Sequence, residues 1–361
     1  VAFVSLPAIN HNYLACENRD TMMLENILVR SIAGGFARCP EQLNGLNESD
    51  AELILPEILR GEILALKVDG LADEIQAKLY EDPYVIGWTA VNATLSDLAA
   101  VGAEPIGMLL LLQLPPDFTE PARLELSRGI REACGVHQTY LLGGDTNHGK
   151  VLDVSMMAIG RTPKPMMRSG CAPGDRLFCS GPMGYGNAYA FAKIFQGVSL
   201  PYRPLARIRE GRLIRDFASC CIDSSDGFFP ALAQLSEVNP YGFSLETPLS
   251  GFLDPTAAAI CDTQGIPQWL MLAGPHGEYE LVFTVREEKV AAFLQAARGE
   301  GMNFLWLGHC QEKAVVSFDP GFGKTELYPA DIANLYEENA GSPENYFHKL
   351  QILHQSWQQQ R

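Results

Sequence analysis

Pro83-Tyr-Val-Ile-Gly-Trp-Thr-Ala-Val-Asn-Ala-Thr-Leu-Ser-Asp-Leu-Ala-Ala-Val101 is apolar or small at nearly every position and carries a single acid, Asp97. Its length and composition suit a helix buried on all sides. Strands are expected around it. Ala51–Leu55 and Glu62–Val68 read as strands separated by a Pro-Glu-Ile-Leu-Arg-Gly turn. Downstream, Ile106–Leu114, Thr139–Leu142 and Val151–Ile159 read as strands and Glu120–Cys134 as an amphipathic helix. Three prolines and two glycines between Arg161 and Gly174 mark a boundary.

Past that boundary a second alternating set starts at Arg176–Cys179 and runs through the turn Gly181-Pro-Met-Gly-Tyr-Gly186. Helices are expected at Ala188–Phe195, Arg207–Phe217, Phe228–Leu235 and Lys289–Ala297. Strands are expected at Glu280–Val285, Phe304–Leu307 and Ala314–Phe318. Mixed elements in two successive halves predict an α/β (α+β) protein of two domains, 46–163 and 164–325. An irregular segment, 1–45, with a helix around Met22–Ile32, precedes them, and an extension, 326–361, reads as an appended helix.

The chain has 361 residues, 47% of them apolar and 19% charged, which is ordinary globular composition. With 43 acidic and 27 basic residues the net charge is −16, which argues against nucleic-acid and anionic-membrane partners. A polyanion such as ATP can still bind if divalent cations sit between carboxylates and phosphates. Nine cysteines, odd in number and without a C-x-x-C pair, fit buried thiols in a reduced compartment. Val1–Ile9 is apolar but lacks a basic flank, and no stretch reaches the ~20 apolar residues of a membrane span. A cytoplasmic location is the expectation.

Several aspartates stand where composition alone would not put them. Asp97 lies inside the most apolar helix, and a bare carboxylate there would cost several kcal/mol, so it caps a turn, pairs with a cation or coordinates one. Asp145 follows Tyr140-Leu-Leu-Gly-Gly-Asp-Thr146, a strand running into two glycines, which reads as a ligand-facing loop or a plain turn. Asp223 and Asp226 fall in Cys221-Ile-Asp-Ser-Ser-Asp-Gly227, just before a helix. That spacing fits an N-cap, and equally a metal shared at a helix end that favours phosphate. Asp69 ends a strand and Asp50 precedes one. Together they suggest a multi-Mg²⁺ nucleotide site. Gly321-Phe-Gly-Lys-Thr325 imitates the end of a Walker loop, but Phe318 stands where that loop needs glycine. The seven histidines lack zinc spacing and no G-x-S-x-G elbow occurs, and only His148, just past Asp145, is placed to face a ligand.

Six ordered blocks carry a resemblance: Asp82-Pro-Tyr-Val-Ile-Gly-Trp88, Leu95-Ser-Asp-Leu-Ala-Ala-Val-Gly-Ala-Glu-Pro105, Gly143-Gly-Asp-Thr146, Arg168-Ser-Gly-Cys-Ala-Pro-Gly-Asp175, Ile222-Asp-Ser-Ser-Asp-Gly227 and Glu278-Tyr-Glu-Leu-Val-Phe283. Over roughly residues 46–320 the chain resembles the thiamine-monophosphate kinases, within the superfamily of aminoimidazole ribonucleotide synthetase, selenophosphate synthetase and HypE. The resemblance implies an N-terminal domain whose mixed sheet pairs with that of a second subunit in a homodimer. It also implies a C-terminal α/β domain beside it and ATP in the cleft near the interface. By position, Asp50, Asp69, Asp97, Asp145 and Asp226 match metal-binding acids, with Asp223 the neighbouring acid. Gly143, Gly144 and Thr146 match the nucleotide loop, Ser225 a serine beside the phosphates, and Arg168 a basic residue near them. Asp97 and Asp226 are the implied catalytic acids, and the implied chemistry is Mg²⁺-dependent, in-line transfer from ATP to a small phosphate acceptor.

The chain departs from the family pattern in four places. Ser49 replaces one of two adjacent acids, and Thr89 stands where the family has a lysine after Gly-Trp. Gly70-Leu-Ala-Asp-Glu-Ile-Gln-Ala77 and Pro275-His-Gly-Glu278 also differ. These departures motivate two alternatives: a relative acting on another acceptor, through a carbonyl or amide oxygen, and a non-catalytic nucleotide-binding homologue.

Overall fold

The computed structural model describes residues 35–36, 63–328, 331–332, 335, 338–339 and 342–359. The Met22–Ile32 helix, the Ala51–Leu55 strand and Asp50 lie outside the described residues.

The buried helix is present as Pro83–Ala100. Asp82 starts it by accepting a hydrogen bond from the Tyr84 N–H, with Pro83 in the first turn, where a missing N–H costs nothing. Fourteen of its eighteen residues are buried, so it has no wet face and belongs at the centre of the molecule. One side packs on a second helix, Glu120–Val136, at a crossing lined by glycines. A Cβ on Gly87 would come 2.2 Å from the Leu126 carbonyl oxygen, and one on Gly129 would come 2.2 Å from that of Tyr84. The backbones therefore touch.

Four strands form the first sheet: β1 (Ile63–Gly70), β2 (Glu104–Leu114), β3 (Leu141–His148) and β4 (Asp153–Thr162), in the order β1-β4-β2-β3. Only the β2–β3 pair is parallel. Val154, Met156 and Ala158 of β4 and Met108, Leu110 and Leu112 of β2 are buried on one side. The other side is apolar yet open: Leu64 is 45% exposed, Leu66 57%, Val68 64% and Leu111 49%.

The second sheet has seven strands: β5 (Arg176–Cys179), β6 (Ala218–Asp223), β7 (Gly242–Leu245), β8 (Leu281–Val285), β9 (Leu305–Gln311), β10 (Val316–Phe318) and β11 (Thr325–Leu327). Their order is β11-β10-β7-β9-β5-β8-β6. Two cores flank this sheet. Phe178 and Phe283 join the core that holds the Pro83–Ala100 helix, whereas Leu177, Cys179 and Val282 alternate into a core with Phe229, Trp269 and Phe318. The first core thus runs unbroken from one sheet to the other. The appended helix spans Pro343–Gln359 and closes the second core, with Tyr346 Oη donating to the Ala273 carbonyl and Trp269 Nε1 donating to His354 Nδ1.

The Gly321–Thr325 stretch enters strand β11 rather than a helix, and the Gly321 and Gly323 N–H groups donate to Asp319. It is a tight turn without phosphate-loop geometry. All seven described cysteines are free and buried, and among the described residues no helix is long and apolar enough to cross a membrane.

Candidate active site

Lys67 and Asp69 sit two apart on β1, so they share the face turned toward the Pro83–Ala100 helix. Asp97 projects from the last turn of that helix, and Lys67 Nζ lies 3.2 Å from its Oδ1. Opposite, β6 ends at Asp223 and turns through Ser224-Ser-Asp-Gly227 into the helix Phe228–Val238. Gly227 takes φ +90° there, and a Cβ on it would meet the Gly274 carbonyl oxygen at 2.2 Å, so the turn requires glycine.

The turn is clamped from behind. The Ser224 N–H donates to the Glu280 carbonyl, the Glu280 N–H donates to Ser224 Oγ, and the Gly277 N–H donates to the Ser225 carbonyl. Glu280 is held by Arg207 and Ser180, and Glu278 accepts from the Gly184 N–H. His276 is buried against Tyr80, whose hydroxyl lies 3.1 Å from its Nε2. His276, Gly277 and Glu278, in the 275–278 stretch that departs from the family pattern, therefore belong with Glu280 to the interior scaffold of the aspartate turn.

Lys67, Asp97, Arg168, Asp223, Ser225, Asp226 and Gln234 line one cavity of about 90 Å³. Lys67, Asp97, Arg168 and Asp223 also edge a second cavity of about 310 Å³, walled by Leu98, Val101, Pro165 and Met166. A polar chamber thus shares its rim with a mostly apolar one, at the junction of the two sheets. Burial raises the Asp97 carboxyl, against the pull of Lys67, and pushes Asp223 up to about 7, with Asp97 adding repulsion. Asp226 is also raised, by burial and then Asp69, although it opens to solvent on one side. Asp223 Oδ2 is buried without a hydrogen-bond partner. Burial works against the charge on Lys67, but Asp97 and Asp69 more than offset it and its pKa is raised.

Of the sequence candidates, Asp97, Asp223, Asp226, Ser225 and Arg168 share the polar cavity, and Asp69 acts on this group electrostatically. Gly143, Gly144, Asp145 and Thr146 do not form the expected loop: they are strand residues of β3, paired with Leu109–Leu112 of β2. Gly144 serves close strand approach, since a Cβ on it would come 1.9 Å from the Leu110 carbonyl oxygen. Asp145 is level with Leu111, Ser155 and Gly70 across the sheet, hence on its open face, whereas Asp69 is level with Met156 and Leu110 on the covered one. Within one chain Asp145 is separated from the cluster by the sheet. Its carboxylate accepts from the Thr146 N–H and the Asn147 side chain. Lys67 and Gln234 are the residues that sequence reasoning missed. Period-two alternation back from Asp69 was the available signal for Lys67; a lone Gln on a helix gives none.

Residues 48–162 match the family model described as AIR synthase related protein, N-terminal domain. A thiamine-monophosphate kinase of Escherichia coli O157:H7 is 29% identical over 279 residues, covering 73% of this chain and 83% of that protein. AaThiL, solved in complex with AMPPCP and TMP, superposes with a TM-score of 0.63 at 21% identity, covering 71% of this chain and 84% of its own. The E. coli hydrogenase maturation protein HypE superposes at 0.69 with 19% identity, covering 84% and 95%.

Proposed function

We infer that this chain is an ATP-using phosphotransferase of the thiamine-monophosphate kinase type, within the aminoimidazole ribonucleotide synthetase superfamily: ATP and thiamine monophosphate give ADP and thiamine diphosphate. The observation that carries this reading is the chamber where Asp97, Asp223 and Asp226 meet Lys67 and Arg168 beside a larger apolar cavity. Carboxylates and cations together suit a triphosphate and its counter-ions, and the apolar walls suit a ring system. The relatives named thiamine-monophosphate kinase, and AaThiL with its bound AMPPCP and TMP, support the choice of donor and acceptor.

The donor set fits Mg²⁺. These are hard carboxylate oxygens, and the buried Asp223 Oδ2, left unsatisfied by its neighbours, is an acceptor of the kind Mg²⁺ takes. Asp97, Asp223, Asp226 and Asp69 would hold it. When bound, the ion neutralises phosphate charge and draws electron density from the transferred group. The chain's own residues do the rest by position. Arg168 and Lys67 attract and orient phosphate oxygens, the clamped Ser224–Gly227 turn keeps the acids fixed, and the apolar walls exclude water from the attacking phosphate oxygen. That oxygen attacks the γ-phosphorus in line as ADP leaves, so no covalent enzyme intermediate is needed.

Two copies pairing through the open face of the first sheet would cover Leu64, Leu66, Val68 and Leu111. Asp145, on that same face, would then lie at the interface and could enter a site shared between subunits. Incubation with ATP, Mg²⁺ and thiamine monophosphate is expected to yield thiamine diphosphate. Absence of that product at high enzyme concentration sinks the reading, and ADP release dependent on another metabolite points to a relative with a different acceptor.

A further inference from the structure

We propose that Lys67 is a built-in counter-ion that competes with divalent metal for the carboxylate cluster and turns from Asp97 to substrate phosphate once metal is taken up. The proposal rests on the phosphotransferase reading, its first half on the metal alone and its second on the phosphate.

Four observations carry it. Lys67 pairs with Asp97 at 3.2 Å, and Asp69 and Asp223 also act on its charge. Among the described residues no three acids are drawn together closely enough to share one ion, and the Lys67 ammonium sits against Asp97, one of the acids that would do so. Asp223 Oδ2 is buried without a partner, a sign that one tethered charge leaves the cluster incompletely satisfied. Lys67 also lines both cavities, so a rotation of its flexible stem moves the ammonium between them without displacing backbone.

The consequence follows from charge alone. A divalent ion arriving at Asp97 repels the ammonium at a few ångströms, in a setting only partly screened by water. Displaced, the ammonium needs a new anion, and a phosphate seated across the rim beside Arg168 supplies it. Metal uptake and nucleotide uptake are therefore linked through one side chain: without nucleotide the lysine opposes metal, and with it the opposition is relieved.

The test uses the full chain and Mn²⁺ alone, with free ion counted by electron paramagnetic resonance. Lys67→Met is expected to bind Mn²⁺ about tenfold or more tightly than wild type, because the competing charge is gone. Lys67→Arg keeps the charge and should stay near wild type, and Asp97→Asn should weaken binding. Equal or weaker Mn²⁺ binding by Lys67→Met overturns the proposal, and Lys67→Gln gives the same readout if the methionine variant fails to fold. In a second arm, calorimetric binding of AMPPCP at saturating Mg²⁺ should be several-fold weaker in Lys67→Met, and unchanged binding overturns the turn toward phosphate. Neither arm uses thiamine monophosphate, so both read independently of the acceptor.

Discussion

Asp223 concentrates the conflict between folding and function in one side chain. It is buried, lacks a partner for Oδ2 and feels the charge of Asp97, and its carboxyl is pushed up to about 7. In the unfolded chain it titrates near 4. Between those two values the unfolded state releases its proton while the fold retains it, so this residue makes stability fall as pH rises from about 4 to about 7 and level off above. Asp223→Asn removes that contribution. Thermal melts of the ligand-free proteins should show the variant gaining on wild type between pH 5 and pH 8, by on the order of 1–3 kcal/mol. A gap that does not change with pH would contradict this. Turnover by the same variant should drop by about two orders of magnitude, since one of the oxygens that would hold the phosphate-neutralising ion is lost. The acids at this site were legible because carboxylates inside apolar runs need a reason to be there. Lys67 was not, because a lysine on a strand is ordinary until the strand's covered face is known.

Among the elements, the Pro83–Ala100 helix was read nearly to its ends, since uniform apolarity and the Asp82-Pro83 start are local signals. The Gly143–Thr146 stretch was misread for the opposite reason: what lets two glycines stay in a strand is the neighbouring β2 backbone, which local sequence does not announce. The short helix Ala72–Gln76 escaped notice, having only five residues and no capping side chain. Glycines at the helix crossing make a sharper prediction. Gly129→Ala puts a methyl against the Tyr84 carbonyl and must push the helices apart, lowering stability by about 1–3 kcal/mol in denaturant unfolding. Gly135→Ala, in the same helix with nothing within 4 Å of the new methyl, should be neutral or stabilise by up to about 1 kcal/mol. Equal effects at both positions would show that propensity, not the crossing, decides.

For the whole molecule, the central question is what covers the open face of the first sheet. One side of that sheet carries the helices, and the other shows leucines and a valine to solvent. Leu66→Asp sits in the middle of that face and leaves the covered side untouched. Sedimentation should find wild type at twice the chain mass and Leu66→Asp at the chain mass with its helical content preserved. A wild-type chain that sediments as a monomer at micromolar concentration would refute the dimer.

The strand order of the second sheet also constrains events in time. β5 lies between β8 and β9, both of which are made about a hundred residues later, a pairing of high sequence separation. On a ribosome adding about 5–20 residues per second, Leu177 and Phe178 would wait some seconds with neither neighbour formed. In the first sheet β1 likewise waits about ninety residues for β4, its one neighbour, but that sheet is complete by Thr162, before β5 is made. Nascent chains would thus carry a finished front half joined to an open, sticky strand, the state that chaperones recognise. Slower growth temperature and chaperone supply, rather than a stronger promoter, are the conditions under which this protein should accumulate in folded form.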